Sequence, residues 1–401
     1  MIKKIIKQRL VMLLILISMC IFASTTIKAE AASKSVNKVY CCLYKSGKLV
    51  ISQKKIKPVK GKKVLENKKL SRPSLLKNKA KVKTIEIKGK VKPKSCKNYF
   101  LNMWYVKSIK NMKNLDTSAT TSMNGMFAGC NNLKKIDLSH FNTKKVKDMR
   151  FMFDWCNKLT NLNLNHFNTK KVTNMVGMFK CCYNLKSLGV SKFNTANVKD
   201  MNSMFFFCSS LKSLNLKNFN TKNVKDMGSM FQECHKLTSL DVSKFNTSKV
   251  TNMYGMFGGC EKLKTLDVSN FNTKNVTDME GMFSSCKSLK SLYLKKFNTA
   301  KVFEMSYMFN NCVNLKTLDL SSFKTKKVGQ MNQMFENCKS LKILDIRNFD
   351  LTGQFGSGSA MFYKFSKTAT VIATQKTKDI LIGYSCGTEY VKHWKIIDVQ
   401  E

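Results

Sequence analysis

The sequence has few of the residues that usually build an active site. It contains only 4 histidines among 401 residues, and no Ser/His/Asp or Cys/His grouping stands out around them. It also lacks a glycine-rich phosphate-binding loop. We therefore expect no enzymatic activity, no cofactor and no small-molecule substrate.

Long apolar runs are missing beyond the first 31 residues, so we expect neither a membrane span nor a covalent wall anchor at the C-terminus. Residues 1–31 differ, because a basic start precedes an apolar run at 10–23 and the small residues Ala29 and Ala31. This pattern predicts a signal peptide removed after Ala31. The alternative is an uncleaved anchor, but the run is shorter than the roughly 20 residues that span a bilayer.

Acidic residues are scarce, since 24 Asp and Glu face 71 Lys and Arg, for a net charge of +47. Such a charge attracts polyanions, and the attraction weakens with salt. A secreted protein would meet anionic cell-wall polymers, acidic polysaccharides or acidic host proteins, and we expect no nucleic acid. The alternative is a lysine-rich surface that has no partner.

What the chain does contain is a repeat of 26 residues, as in NTSKVTNMYGMFGGCEKLKTLDVSNF followed by NTKNVTDMEGMFSSCKSLKSLYLKKF. Four columns keep one residue type through nine copies, without insertion or deletion. They run from Phe127 to Phe335, Phe141 to Phe349, Cys130 to Cys338 and Leu133 to Leu341. Each copy therefore occupies one identical structural step, which predicts a solenoid.

Two periodicities alternate within a copy. Apolar residues from Val146 to Cys156 recur at spacings of three and four, which predicts a short helix with Asp148 near its N-terminus. Leu159, Leu162 and Leu164 then predict a short strand, and equivalent strands should stack in parallel about 4.8 Å apart. The expected fold class is an α/β solenoid, a leucine-rich repeat-like stack of parallel short strands and short helices, capped at both ends.

The repeat also divides the chain. We expect a signal peptide at 1–31, a basic N-terminal cap and linker at 32–81, and the solenoid at 82–351. Within it, coils 82–132 are degenerate and coils 133–351 are regular. Residues 352–401 should form a C-terminal cap of strands with a short helix between them, because a solenoid needs its apolar ends covered. A hairpin is expected around Ser46-Gly47.

Other columns have structural explanations. The Asn column from Asn142 to Asn298 should satisfy turn backbone. The nine-member Cys column lies on the apolar face, where buried free thiols are expected, although neighbouring members are close enough for disulfides. A ladder offers one ligand per coil, and two histidines lack a third ligand, so no metal site is expected.

The recurring pattern MxxMFxxCxxLxxLDLSxFNTxxV resembles the BspA-family leucine-rich repeat surface proteins of bacteria. Its part from Met308 through Val328 is intact except for Lys324 in place of Asn, and the resemblance covers residues 106 to 351. Phe141 and its equivalents stand where general leucine-rich repeats have the ladder Asn. The resemblance implies a secreted or cell-surface protein used for binding and adhesion.

If stacking fixes the core, function must lie in the variable polar residues. We expect a noncatalytic scaffold that recognises extracellular or host proteins through its strand face. The candidate binding residues are Lys134, Asp137, His140, His166, Lys186, Lys212, Asp241, Lys264, Asp267, Lys290, Tyr293, Lys316, Asp319 and Lys342. The alternative is a structural envelope protein held to anionic cell-wall polymers by its lysine files. The candidate anion-binding turns contain Lys144, Lys145, Lys170, Lys171, Lys326 and Lys327.

Overall fold

A computed structural model describes residues 38–352, 360–383 and 395–397. The predicted signal peptide at 1–31 lies outside the described residues, as does part of the predicted C-terminal cap. Within the described ranges, no helix has both the length and the apolar character needed to cross a membrane.

The N-terminal part begins with a five-stranded sheet. Its strands are β1 (Val39–Tyr44), β2 (Lys48–Ser52), β3 (Val64–Leu70), β4 (Thr84–Lys88) and β5 (Ser108–Lys110), in the order β3-β1-β2-β4-β5. β1 and β2 pair antiparallel across Gly47, which has a φ of 86°, so the predicted hairpin is confirmed. β2, β4 and β5 pair in parallel, which joins the hairpin to the repeating stack.

The apolar columns lie inside the coil. The Phe127 to Phe335 column and the Cys130 to Cys338 column are buried throughout. Successive rings of that Phe column stack 5.5 to 5.9 Å apart, within 10° of parallel. Burial of each such side chain stabilises the fold by about 1.5–3 kcal/mol. The predicted alignment of the core columns is confirmed.

The predicted short helices are wrong, because the segment after each Asp148-type residue is a run of tight turns. Phe151 and Trp155 have φ values of 54° and 57°, in the left-handed region that an α-helix cannot contain. Alternate N–H groups also leave the segment: the N–H of Met149 donates to Asn174 O (3.1 Å) and that of Phe153 to Met178 O (2.9 Å). The backbone thus bonds to the next coil, and the molecule is a β-solenoid with little helix.

The strand side is paired only in places. β6 (Asn161–Asn163) and β7 (Ser187–Gly189) pair in parallel. A second parallel sheet has the order β11-β10-β9-β8. It consists of β8 (Thr317–Asp319), β9 (Ile343–Asp345), β10 (Thr370–Ile372) and β11 (Lys395–Ile397). Helix α1 (Gln375–Gly383) lies between β10 and β11, so the strands and helix predicted there are confirmed.

The turn side, in contrast, is bridged from coil to coil without a break from Ser122 to Gln330. Asp148 contributes by accepting the N–H of Arg150 at 3.0 Å, so it closes a turn where a helix cap was expected. The coils are therefore held together most regularly on the turn side.

A buried threonine column adds further bonds between coils. The Thr195 hydroxyl accepts the N–H of Asn220 (2.7 Å) and donates to the carbonyl of the same residue (2.9 Å). The Asn220 side chain in turn accepts the N–H of Lys222 at 3.1 Å. Because both side chains satisfy backbone groups, the structural interpretation of the Asn column is supported.

The thiols of the cysteine column are free and bonded to backbone. Cys208 donates to Phe179 O at 3.2 Å, and Cys286 donates to Phe257 O at the same distance. All thirteen cysteines in the described ranges are buried and free. The expectation of buried free thiols is confirmed for these residues.

Candidate functional site

The strand face is defined here as the exposed residues of segment 134–140 and its equivalents at 26-residue intervals. The predicted lysine file is exposed on it throughout. Its members are Lys134, Lys186, Lys212, Lys264, Lys290, Lys316 and Lys342. Each lysine follows a buried leucine, so the regular packing of the leucines sets the position of each lysine on the face.

The aspartates of the strand face are held by their own turns. Asp241 Oδ1 accepts the N–H (3.0 Å) and hydroxyl (2.6 Å) of Ser243, and Asp267 Oδ1 accepts the N–H of Ser269 (2.9 Å). The side-chain hydroxyl and then the backbone N–H of these serines lower the pKa of both carboxyls. Both aspartates are exposed, so they present fixed, ionised carboxylates at neutral pH.

The candidate binding residues His140 and His166 lie near Asp137, which has the same position in its coil as Asp241 and Asp267. Asp137 Oδ1 accepts the N–H of Ser139 at 3.0 Å. That bond and the Ser139 hydroxyl lower the pKa of Asp137, and His140 and His166 lower it further. The His166 ring nitrogen lies 2.8 Å from Leu138 O in the preceding coil. Within the described ranges, no group of three or more His, Cys, Asp or Glu is arranged to hold a metal.

Part of the strand face opens into a groove of about 650 Å³. The structure brings three predicted residues together there, Asp241, Asp267 and Tyr293. The Tyr293 side chain is 53% exposed at one end of the groove. A row of small hydroxyl residues completes the lining: Ser213, Ser239, Thr265 and Ser291.

Neighbouring coils are not paired along the groove. In segments 213–216, 239–242 and 265–268, all within the described ranges, no backbone hydrogen bond joins one segment to the next. The leucines beneath them, Leu214, Leu240 and Leu266, are 7 to 8% exposed. Leu318, under the paired strands β8 and β9, is 1% exposed. Predicted parallel pairing is therefore wrong for these three segments.

A smaller depression of about 390 Å³ continues on the other side of Tyr293. It is lined by Asp319 and by Ile343, whose side chain is 46% exposed. Asp319 forms an ion pair with Lys295 at 3.3 Å, which partly neutralises the lysines in this region. Tyr293 thus lies between two adjoining concave sites.

The turn lysines form a second basic surface. Lys144, Lys145, Lys170, Lys171, Lys326 and Lys327 are all exposed. Within the described ranges, none of these six lies within 4 Å of a carboxylate. This surface fits the predicted anion-binding role better than it fits recognition of a shaped partner, because it is built from flexible point charges.

Sequence reasoning located the residues of the groove but missed the groove itself. The repeat gives Asp241 and Asp267 the same register as Tyr293. Nothing in the pattern distinguishes coils that pair from coils that separate, since the buried positions are alike in both.

Comparison with known proteins supports the repeat assignment. The family described as "Mycoplasma protein of unknown function, DUF285" matches residues 94–213, 156–265, 183–291 and 254–375, overlapping matches that cover well over half of the chain. The chain belongs to this family. No curated protein matches it.

One solved structure with similarity is the functional domain of InlJ from Listeria monocytogenes, which includes a cysteine ladder. The sequence identity is 13% and the TM-score is 0.26. The match covers 74% of this chain and 63% of the InlJ domain.

Proposed function

We propose that this member of the DUF285 family is a noncatalytic scaffold for binding and adhesion, secreted or displayed at a bacterial cell surface. Its strand face would recognise extracellular or host proteins. The observation that carries the proposal is a contrast within each coil. The buried columns keep one residue type, while the residue types at the exposed positions above them vary. Such a surface can change its specificity without loss of the core.

The resemblance of the repeat pattern to the BspA family supports the same function at a finer level. The concave region around Tyr293 adds to this support, since an exposed aromatic side chain flanked by fixed carboxylates is typical of recognition surfaces. The aspartates of the strand face are already held by bonds to their own turns, so they would lose little conformational entropy on binding.

A pull-down with residues 32–401 against extracellular-matrix proteins and cell-wall fractions would test the proposal. Retention of a protein partner at both about 50 mM and about 500 mM salt is expected, because a shaped interface depends less on screened charges. Tyr293→Ala should weaken this retention, whereas Tyr105→Ala, at another exposed tyrosine, should not. Equal loss in both variants would contradict recognition through the strand face.

A second function, retention on anionic wall polymers, is favoured by the unpaired turn lysines. Under this alternative the chain is a structural envelope protein, and a high-salt wash should release it from intact cells. Replacing Lys144, Lys145, Lys170 and Lys171 with Gln should lower wall binding. The matched control replaces Lys54, Lys55, Lys57 and Lys60, which are also exposed, with the same loss of charge. Equal effects of the two sets would indicate net charge alone.

A further inference from the structure

The groove between Ser213 and Tyr293 lies where neighbouring coils are unpaired. Segments 213–216, 239–242 and 265–268 form no backbone hydrogen bond with one another, whereas β6 pairs with β7 and β8 with β9. Backbone groups that are left without a protein partner take one from water or from a ligand.

The direction of the groove restricts what can fill it. The groove crosses successive coils, so a ligand lying along it crosses the extended segments. An added peptide strand would lie along those segments and not along the groove, so it would fill only the gap between two coils. A nucleic acid is also disfavoured, because the Asp241 and Asp267 carboxylates would repel its phosphates.

The chemistry of the groove fits a chain of sugar rings. Residues of one register recur along it from coil to coil, as Ser239 and Thr265 or Asp241 and Asp267 do. A chain of linked pyranoses also repeats its hydroxyls along its length, so several rings can meet equivalent side chains. The Ser239 and Thr265 hydroxyls and the two carboxylates can bond ring hydroxyls, with the carboxylates as charge-assisted acceptors.

Tyr293 supplies the remaining feature, an exposed aromatic ring at the end of the row. Its side chain is 53% exposed and leads into the second depression. The apolar face of a pyranose ring can pack on such a ring while the phenol remains in water. The groove thus combines a stacking platform with a line of hydrogen-bonding groups.

We propose that the groove from Ser213 to Tyr293 binds an extended, β-linked glycan segment of several rings, with ring hydroxyls on Asp241 and Asp267 and one ring packed on Tyr293. This proposal rests on the proposed function, because it assigns a ligand class to the strand face. The glycan can belong to a wall polysaccharide or to a glycosylated extracellular protein. Both sources present the same chemistry to the groove.

The test is calorimetric titration of residues 32–401 with two probes: cellohexaose and the hexamer of β-1,4-linked N-acetylglucosamine. At least one should bind. The double variant Asp241→Asn and Asp267→Asn should weaken that binding about tenfold or more, since bonds to charged groups are lost. Tyr293→Ala should weaken it about fivefold or more.

Matched controls separate binding from folding. Asp350→Asn changes an aspartate outside the candidate binding residues, whose Oδ1 likewise accepts the N–H and the hydroxyl of the residue two positions later, Thr352. It should leave binding unchanged, and Tyr105→Ala should do the same. The Asp→Asn changes keep the oxygen that accepts the turn N–H, so all variants should melt within a few degrees of the parent chain.

The outcomes distinguish the two proposals. Binding of no probe, or equal weakening by Asp350→Asn and by the double variant at Asp241 and Asp267, overturns the glycan site. If a protein partner is still retained through Tyr293 under those conditions, recognition by the strand face survives. If neither glycan nor protein is retained, both proposals fail. If a protein partner is lost after its enzymatic deglycosylation, the glycan belongs to that protein. If the parent chain retains wall polysaccharide and the groove variants do not, the glycan belongs to the wall.

Discussion

At the scale of single residues, the carboxyl of Asp154 is the most perturbed acid in the coil. Its Oδ1 atom is buried and has no hydrogen-bond partner. Desolvation raises the pKa of Asp154 from 3.8 to about 7, against the opposing effects of Lys180 and of the Trp155 N–H. The folded chain therefore binds a proton there that the unfolded chain releases above pH 4.

This predicts a pH-dependent stability that Asp154→Asn removes. The raised pKa means that the neutral carboxyl's contribution is complete below pH 3.8 and is lost as the pH rises towards 7. The free energy of unfolding of Asp154→Asn, relative to that of the parent chain, should therefore rise between pH 4 and pH 7 by on the order of 2 to 4 kcal/mol. Above pH 7 it should stay constant. Thermal melts at several pH values would measure it.

Asp267→Asn is the matched control, because its carboxyl is exposed and its pKa is lowered. It should show no such rise. If the relative stability of Asp154→Asn stayed flat from pH 4 to pH 8, the buried carboxyl would not be protonated in the folded chain.

The cysteine column leads to a second residue-scale prediction. Burial raises the pKa of Cys130 and Cys234 to about 12, so almost no thiolate is present at neutral pH. Since the thiolate is the reactive form, iodoacetamide should label the column cysteines only after unfolding in guanidinium chloride. Peptide-resolved mass spectrometry would measure this. Fast labelling of the native chain, or disulfide-linked peptides from neighbouring coils, would refute buried free thiols.

At the scale of the coil, backbone bonds between neighbours decide the structure more than local preference does. The spacing of Val146, Met149 and Phe153 fits a helix, and burial of these residues follows as expected. The backbone does not follow, because neighbouring coils supply acceptors that a single helix would find within itself. Periodicity reveals which side chains are inside, but it does not show which carbonyl each N–H group selects.

Thr195→Val should show how much one inter-coil contact contributes. Valine has a similar shape but leaves the N–H and the carbonyl of Asn220 without their partner. Because both groups lose their bond at a buried threonine, the cost should be about 2 to 4 kcal/mol, seen as a lower melting temperature.

Thr173→Val provides the comparison, because Thr173 is exposed and makes one longer bond, 3.2 Å to Lys147 O. Its effect should be within about 0.5 kcal/mol. Similar melting temperatures for the two variants would mean that the buried threonine column does not link the coils.

At the scale of the whole molecule, the sequence allowed prediction of the solenoid, its core columns and its free thiols, since all three depend on side-chain burial at a fixed interval. The groove and the run of tight turns could not be predicted from the sequence. Segments 213–216, 239–242 and 265–268 do not pair, although their buried residues match those of coils that do. Site residues such as Asp241 and Tyr293 were named correctly as exposed, while their grouping needed the structure.

The central claim is that one 26-residue coil is the structural unit, stacked on identical neighbours. The most direct test deletes residues 173–198, which removes one coil and keeps every column in register. Its control deletes residues 173–185, which removes half a coil and shifts the columns out of register. The account predicts that the first chain keeps a cooperative melt and protected cysteines at a lower melting temperature, whereas the second loses both. Equal behaviour of the two chains, or loss of cooperative folding in the first, would contradict it.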